Sequence, residues 1–334
     1  MQKIKIFING FGRIGRSALR IMLEDEAFEV VGINDLYEFS QLYYLLKHDS
    51  TYKKLPFEMH LLEDTLHIAH HKIKLFHEED PLKLDLTTLK IDILLQCSGH
   101  FLTQKQNQCY LAQGVSKVIV SAPAQDDMPT YIRGLNHHKY QGEPIISASS
   151  CSVNAIAPLM HLLEAHFKIL NVAVSMIHSY TNEQSLLDTK TQASDPRRSR
   201  SATQNVLPLH SSATKTLEEL FTSLRSKIYT KSIRIPLAAT TLYDFTFTLK
   251  NRAEVEAVKR VLIDASHINL KEIMDIDTSY KVSSDYITNR HSLTIDLPLL
   301  ECFDNTLKIT AWQDNEYGYA YQLIHLAKDV TLSS

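Results

Sequence analysis

The chain has 334 residues, enough for two domains with separate cores, and its 44% hydrophobic and 22% charged content is ordinary for a globular protein. A net charge of −3 gives no general attraction for nucleic acid or an anionic membrane, and no apolar run is long enough to cross a bilayer. Cys97, Cys109, Cys151 and Cys302 show no CxxC spacing, so we expect reduced thiols in a cytoplasmic protein, and the chain opens on a strand pattern rather than a secretory leader.

Lys3 to Ile8 reads as a buried strand. It runs into Gly10-Phe11-Gly12-Arg13-Ile14-Gly15, which holds three of only nine glycines. A helix is expected from about Arg13 to Leu23, then a second strand from Glu29 to Ile33 ending in Asn34-Asp35. Strand, G-x-G-x-x-G, helix, strand and an acidic residue twenty positions past Gly15 form the dinucleotide-binding fingerprint. In that pattern Gly10 permits the tight turn, Gly12 lets backbone approach a pyrophosphate, and Gly15 lets helix and strand pack closely. Asp35 would accept hydrogen bonds from the adenosine ribose and repel a 2′-phosphate, which favours NAD over NADP.

Tyr52 to Phe76 reads as short hairpin strands with a turn at Glu63-Asp64. His67, His70 and His71 lie in this stretch, but strand alternation would send His70 and His71 to opposite faces, so no metal site is expected. Ile91 to Gly99 and Val115 to Pro123 are further strands, placing Ser98 and Ser121 at the carboxyl ends that line a ligand crevice. His137-His138 reads as a polar loop.

Glu143 to Ser147 is a strand leading into Ser149-Ser150-Cys151-Ser152-Val153-Asn154, with a helix expected from about Asn154 and Pro158 in its first turn. A thiol at a helix N-terminus meets unpaired N–H groups and the positive end of the dipole, which favours the nucleophilic thiolate. A lone cysteine is also commonly a small buried hydrophobe, and this stretch by itself leaves both readings open. Leu170 to His178 is a strand ending in histidine, followed by a long polar loop that starts at Ser179 to Gln184 and carries Asp195-Pro196-Arg197-Arg198-Ser199-Arg200. Strands at Lys231 to Ile235, Tyr243 to Lys250 and Ser292 to Leu297, a helix from Arg252 to Ala265 and a final helix from Tyr319 to Val330 complete the pattern. An imidazole at His178 could pair with Cys151 as imidazolium with thiolate and exchange a proton with a substrate oxygen. The fold class is therefore an α/β Rossmann-type NAD-binding domain plus an α+β catalytic domain with a mainly antiparallel sheet. The first would span 1–150, with a C-terminal helix from about 315 to 334 packing back on it, and the second 151–314.

From its first strand to its last helix the chain resembles the phosphorylating glyceraldehyde-3-phosphate dehydrogenase family. The matching pieces come in order: Ile8-Asn9-Gly10-Phe11-Gly12-Arg13-Ile14-Gly15-Arg16, Ile33-Asn34-Asp35, His48-Asp49-Ser50-Thr51, Ser121-Ala122-Pro123, Gly134-Leu135-Asn136-His137, Ser150-Cys151, Ile177-His178-Ser179-Tyr180-Thr181, Arg234-Ile235-Pro236 and Asp314-Asn315-Glu316-Tyr317-Gly318-Tyr319. The resemblance implies that Cys151 attacks an aldehyde, that His178 takes the hydroxyl proton as hydride leaves, and that inorganic phosphate cleaves the resulting thioester. It assigns Thr181 and Arg234 to the substrate phosphate, and Ser150, Ser152, Arg198, Ser211 and Ser212 to other substrate and phosphate contacts. Arg13, Ile14, Asp35, Ser98, Ser121, Asn182 and Asn315 match cofactor contacts. It also implies a homotetramer, an aldehyde phosphate as substrate, and a place in glycolysis and gluconeogenesis.

The chain departs from the family pattern at Ser152-Val153, where two threonines are usual, and at His210-Ser211-Ser212-Ala213, where Ser212 stands in place of the usual glycine. It departs again at Glu79, where an arginine is usual, and at Thr189-Lys190 in a lengthened loop, where a lysine could meet a 2′-phosphate and leaves NADP open. Two alternatives follow: an erythrose-4-phosphate dehydrogenase, or an NAD-binding paralogue with weak catalysis. A cysteine protease would share the Cys–His pair but not the nucleotide-binding fingerprint.

Overall fold

The computed structural model describes residues 3–182 and 184–332; Glu183, within the loop expected after His178, and Ser333-Ser334, at the end of the expected C-terminal span, lie outside them. The chain divides into two units, Met1–Ser150 with Tyr319–Ser334, and Cys151–Gly318.

In the first unit, β1 (Ile4–Asn9) leads into α1 (Arg13–Met22) and β2 (Phe28–Asn34). Then come α2 (Phe39–Lys47) and three short strands, β3 (Met59–Leu62), β4 (Thr65–Ile68) and β5 (His71–Phe76). β6 (Ile93–Gln96), α3 (Gln104–Ala112), β7 (Lys117–Val120) and β8 (Ile145–Ser147) complete it. The sheet runs β3-β4-β5-β2-β1-β6-β7-β8, parallel throughout except for the β3-β4-β5 hairpins. Near-continuous apolar strands such as Ile93–Gln96, all four residues buried, are what a sheet covered on both faces requires. The strand order reverses about β1, so the carboxyl ends of β1, β2 and β6 open the crevice where ligands of such sheets bind.

His70 falls in the turn before β5, not in a strand, so alternation does not separate it from His71; their rings lie 4.1 Å apart. His71 is buried, and its Nδ1 accepts a hydrogen bond from the Val30 N–H at 3.1 Å, which makes it a piece of the sheet's hydrogen bonding. Burial holds its imidazole down to about 4, neutral at ordinary pH. His137 and His138 begin a single 3-10 turn rather than an open loop.

The second unit comprises α4 (Cys151–Phe167), β9 (Ile169–Ser179), β10 (Leu207–His210), α5 (Ala213–Leu220), β11 (Ile228–Ile235), β12 (Thr241–Leu249) and α6 (Val255–His267). β13 (Met274–Asp277), β14 (Leu293–Asp296), β15 (Glu301–Phe303) and β16 (Thr306–Gln313) follow, and then α7 (Tyr317–Leu332). The sheet order is β10-β11-β9-β12-β16-β14-β13, antiparallel except for β9 with β11 and β13 with β14. Tyr243, Phe245 and Phe247 alternate inward along β12, and their rings stack at 5.8 and 5.6 Å. Val172, Val174 and Met176 of β9 lie on the same row, and His178 extends that apolar row by one position.

Helix α4 begins at Cys151 itself, three residues before the expected start, so Pro158 lies at the eighth helical position and is buried. A proline there removes the N–H that would bond the Asn154 carbonyl, a cost the first turn would not have carried. Most of α7 belongs to the first unit. Lys117 Nζ donates to the Val330 carbonyl at 2.6 Å, Arg133 meets Asp329 and Gln322 at 2.9 Å, and Tyr319 OH donates to the Ser149 carbonyl at 2.7 Å.

Candidate active site and nucleotide cavity

In the second unit Cys151 and His178 meet. The Sγ lies 3.9 Å from Nε2, a distance set by the first turn of α4 resting over the last residues of β9. Gln313 at the end of β16 fixes that turn: its Nε2 donates to the Cys151 carbonyl at 3.1 Å, while its Oε1 accepts from Tyr243 OH at 2.7 Å. Gln313 and Tyr243 carry no motif of their own, and only the β12–β16 pairing, with Tyr243 opposite Ala311, brings them under Cys151.

His178 is 3% exposed and pairs across the sheet with Arg234 of β11 and Thr241 of β12. Its Nδ1 lies 2.7 Å from the Ser179 carbonyl and 2.6 Å from Arg234 Nη1, which itself donates to that carbonyl at 2.9 Å. One ring nitrogen cannot donate to the carbonyl and accept from the guanidinium together. The tautomer with Nδ1–H on the Ser179 carbonyl leaves the Nε2 lone pair facing the thiol, and it is the one a base at this position requires. Burial, and secondly the Arg234 charge, hold the imidazole down to about 3. Burial pushes the Cys151 thiol up, opposed by Arg234, the Ser152 hydroxyl and the N–H groups of Ser152 and Cys151. Both shifts favour the uncharged forms, thiol and neutral imidazole, over the expected thiolate–imidazolium pair. The helix N-terminus acts in the expected direction, but desolvation outweighs it.

The remaining substrate candidates lie on several elements. Ser152 is buried in the first turn of α4, and Ser150 precedes it. Ser211 and Ser212 form the entry to α5, where Ser211 Oγ accepts from the Ala213 N–H at 3.1 Å. Ser212 sits at φ −72, a conformation any residue adopts, so its replacement of a glycine imposes no backbone strain. Thr214 in the first turn of α5 shares a hydrogen bond of 2.8 Å with Thr230, which lies on the same face of β11 as Arg234. Thr181 and Arg198 lie half-buried in the loop after β9, and Asn182 is exposed there. Lys190 is exposed in the same loop. Asn315 is buried and accepts from Ser179 Oγ at 2.9 Å and Thr241 Oγ1 at 3.4 Å, which ties it to the strand ends that carry His178.

In the first unit a cavity of about 540 Å³ opens at the strand ends. Gly10, Gly12, Asp35 and Ser98 line it, with Tyr37, Pro81 and Phe101 as apolar wall. Gly10 has φ +93, and a Cβ there would stand 2.4 Å from Ser98 backbone, so no other residue fits the turn. At Gly12, the N-cap of α1, a Cβ would project into open space, a vacant approach for a phosphate to the helix N-terminus. Asp35 accepts from the Phe11 N–H at 2.6 Å and the Tyr37 N–H at 3.1 Å, one bond on each oxygen, and each oxygen keeps acceptor capacity for a ribose hydroxyl. The residues present fit a dinucleotide.

Arg13, Ile14, Gly15 and Ser121 do not line the cavity. The Arg13 guanidinium is held by Asp49 at 2.5 Å and stacks over Tyr52 at 5.1 Å. Burial opposes the charge on Asp49, yet the N–H groups of Tyr52 and Thr51 and the Arg13 cation hold its carboxyl below the usual range. Ser121 Oγ donates to the Gln96 carbonyl. Beneath the cavity, Asn9, Asn34, Gln96 and Tyr110 form a closed hydrogen-bonded layer, of which the sequence signalled only Asn34 and Asn9 through their motifs.

A largely parallel sheet with a glycine-rich phosphate cradle in one unit, and in the other a buried histidine aimed at a helix-terminal cysteine, define the class of NAD-dependent oxidoreductases. Comparison with known proteins narrows the class. Residues 4–104 match the glyceraldehyde 3-phosphate dehydrogenase NAD-binding domain, and residues 150–315 match the C-terminal domain of the same family. The chain is 37% identical to the glyceraldehyde-3-phosphate dehydrogenase of Helicobacter pylori, over 97% of this chain and 98% of that one. It is 36% identical to the Mycobacterium avium protein of that name, over 97% of each chain. It is 34% identical to glyceraldehyde-3-phosphate dehydrogenase 1 of Bacillus subtilis, again over 97% of each. The chain belongs to the glyceraldehyde-3-phosphate dehydrogenase family.

Proposed function

We propose that this chain oxidises glyceraldehyde 3-phosphate to 1,3-bisphosphoglycerate with NAD and inorganic phosphate, as a step of glycolysis and gluconeogenesis. The observation that carries the reading is the 3.9 Å approach of Cys151 Sγ to His178 Nε2 in a chain of this family. His178 takes the thiol proton as sulfur attacks the aldehyde carbon and returns it to the new alkoxide, giving a hemithioacetal. It takes the hydroxyl proton again as the C–H bond is cleaved and a thioester forms on Cys151. NAD, when bound, accepts the hydride. Phosphate then attacks the thioester carbonyl, the C–S bond breaks, and the thiol is restored as acyl phosphate leaves. The N–H groups at the start of α4, with His178, stabilise the oxyanions.

Thr181 and Arg234 hold the substrate phosphate, with Ser150, Ser152, Arg198, Ser211 and Ser212 supplying the remaining substrate and phosphate contacts. Gly10, Gly12, Asp35 and Ser98 hold the nucleotide, Arg13, Ile14 and Gly15 contribute through the backbone of α1, and Ser121, Asn182 and Asn315 complete the cofactor contacts. Family likeness over almost the whole chain supports a homotetramer acting in the cytoplasm; among the described residues no helix is long and apolar enough to cross a membrane. The ordinary backbone at Ser212 removes the main reason to prefer erythrose 4-phosphate.

The test is nicotinamide reduction followed by absorbance, with each aldehyde phosphate, with and without inorganic phosphate. Continuous turnover of glyceraldehyde 3-phosphate only when phosphate is present supports the reading. A single burst per site, or faster turnover of erythrose 4-phosphate, overturns it.

A further inference from the structure

The cavity of the first unit is more acidic than adenosine binding requires. Asp35, Glu78 and Glu79 all line it, and no lysine or arginine is among its lining residues; His100 is the one basic type there. The segment that carries the two glutamates is pinned. The Glu78 N–H donates to Asn34 Oδ1 at 3.0 Å, and Asn34 Nδ2 donates back to the Glu78 carbonyl at 2.9 Å. Asn34 Nδ2 also donates to Asn9 Oδ1 at 2.8 Å, so the segment is tied to the ends of both β1 and β2. The Glu78 carboxylate accepts from the Asp80 N–H at 3.1 Å, and the exposed Glu79 side chain stands beside it on the rim.

We propose that Glu79, seconded by Glu78, is a specificity-determining residue: a second carboxylate gate, separate from Asp35, that excludes adenosine nucleotides phosphorylated on the 2′ oxygen. The inference rests on reading this cavity as the adenosine half of the NAD site. A 2′-phosphate brings about −1.5 to −2 charges into the cavity. Screening reaches only about 8 Å at physiological salt, so carboxylates on the wall of the same cavity act on it. Asp35 spends one acceptor site of each oxygen on backbone N–H groups, whereas Glu79 projects its charge from the rim. Neutralising Asp35 alone therefore does not admit NADP.

The test is calorimetric titration of the full chain with ADP-ribose and with 2′-phospho-ADP-ribose, which reads the cavity without turnover at Cys151. The ratio of the two dissociation constants should favour ADP-ribose in the wild type. Glu79→Gln should narrow that ratio about tenfold at low salt, Glu79→Lys should narrow it further, and both effects should shrink as salt is raised. Asp35→Asn alone should keep a preference of about tenfold or more. A ratio unmoved by Glu79→Gln, or equal binding of both ligands by Asp35→Asn, overturns the gate while ADP-ribose binding upholds the site. A wild type that fails to bind ADP-ribose overturns the site reading and the gate together.

Discussion

The nucleotide cavity and the Cys151–His178 centre are built on opposite principles. The cavity is open, and its phosphate end is made of backbone: a glycine at φ +93, a helix N-terminus left bare by Gly12, and strand ends that stop short. The Cys151–His178 centre is made of side chains, drawn from α4, β9, β11, β12 and β16, each buried or half-buried and each held by another. A site made of backbone tolerates exchange of the side chains around it, whereas a desolvated side-chain network resets the ionisation of every member. Burial accordingly shifts Cys151 and His178 toward their uncharged forms.

Four experiments sharpen that contrast, from the largest effect downward. Cys151→Ser should lower kcat by about 10⁴-fold or more while calorimetric ADP-ribose binding persists; comparable loss of both would mean that the two sites are not separable. His178→Asn should cost about 10²- to 10⁴-fold in kcat, the range for a general base, with the loss visible in single-turnover acylation. Gly10→Ala should destabilise by about 2–4 kcal/mol in denaturant melts and weaken nucleotide binding, because the new Cβ meets backbone rather than a movable side chain. Gln313→Ala should cost about 1–3 kcal/mol, since Tyr243 OH and the Cys151 carbonyl would lose a buried partner, and should lower kcat more than it alters nucleotide affinity.

Two pH dependences separate the neutral pair from an ion pair. In the cofactor-free protein, alkylation of Cys151 by iodoacetamide should keep rising through pH 9, because the thiol is raised; a plateau near pH 6 would restore the thiolate–imidazolium pair. The His178 imidazole is depressed from 6.5 to about 3, so between those values the unfolded chain binds a proton that the folded chain does not. Its contribution to stability is complete above pH 6.5 and is lost as pH falls toward 3, by about 1.4 kcal/mol per pH unit. Subtracting the denaturation profile of His178→Asn from that of the wild type isolates it.

Legible in the amino-acid sequence are the strand–G-x-G-x-x-G–helix unit, Asp35, the strand that carries His178 at its end and the thiol at a helix start. These features are local: a turn, a period or a cap is written in consecutive residues. Not legible there are α2, which is short and apolar on nearly every side, α3, whose apolar positions are too few for a helical stripe, and β16, which is defined by its pairing with β12. The helix α4 starts three residues before the sequence indicates, because proline favours a first turn and Pro158 instead lies inside the helix. Tertiary packing alone brings Gln313 and Tyr243 to the Cys151 turn, lets Arg234 share the Ser179 carbonyl with His178, and desolvates the cysteine and the histidine so that their uncharged forms are favoured. Those outcomes depend on cross-strand register and on the water excluded around the pair, and neither is encoded in any short stretch of chain.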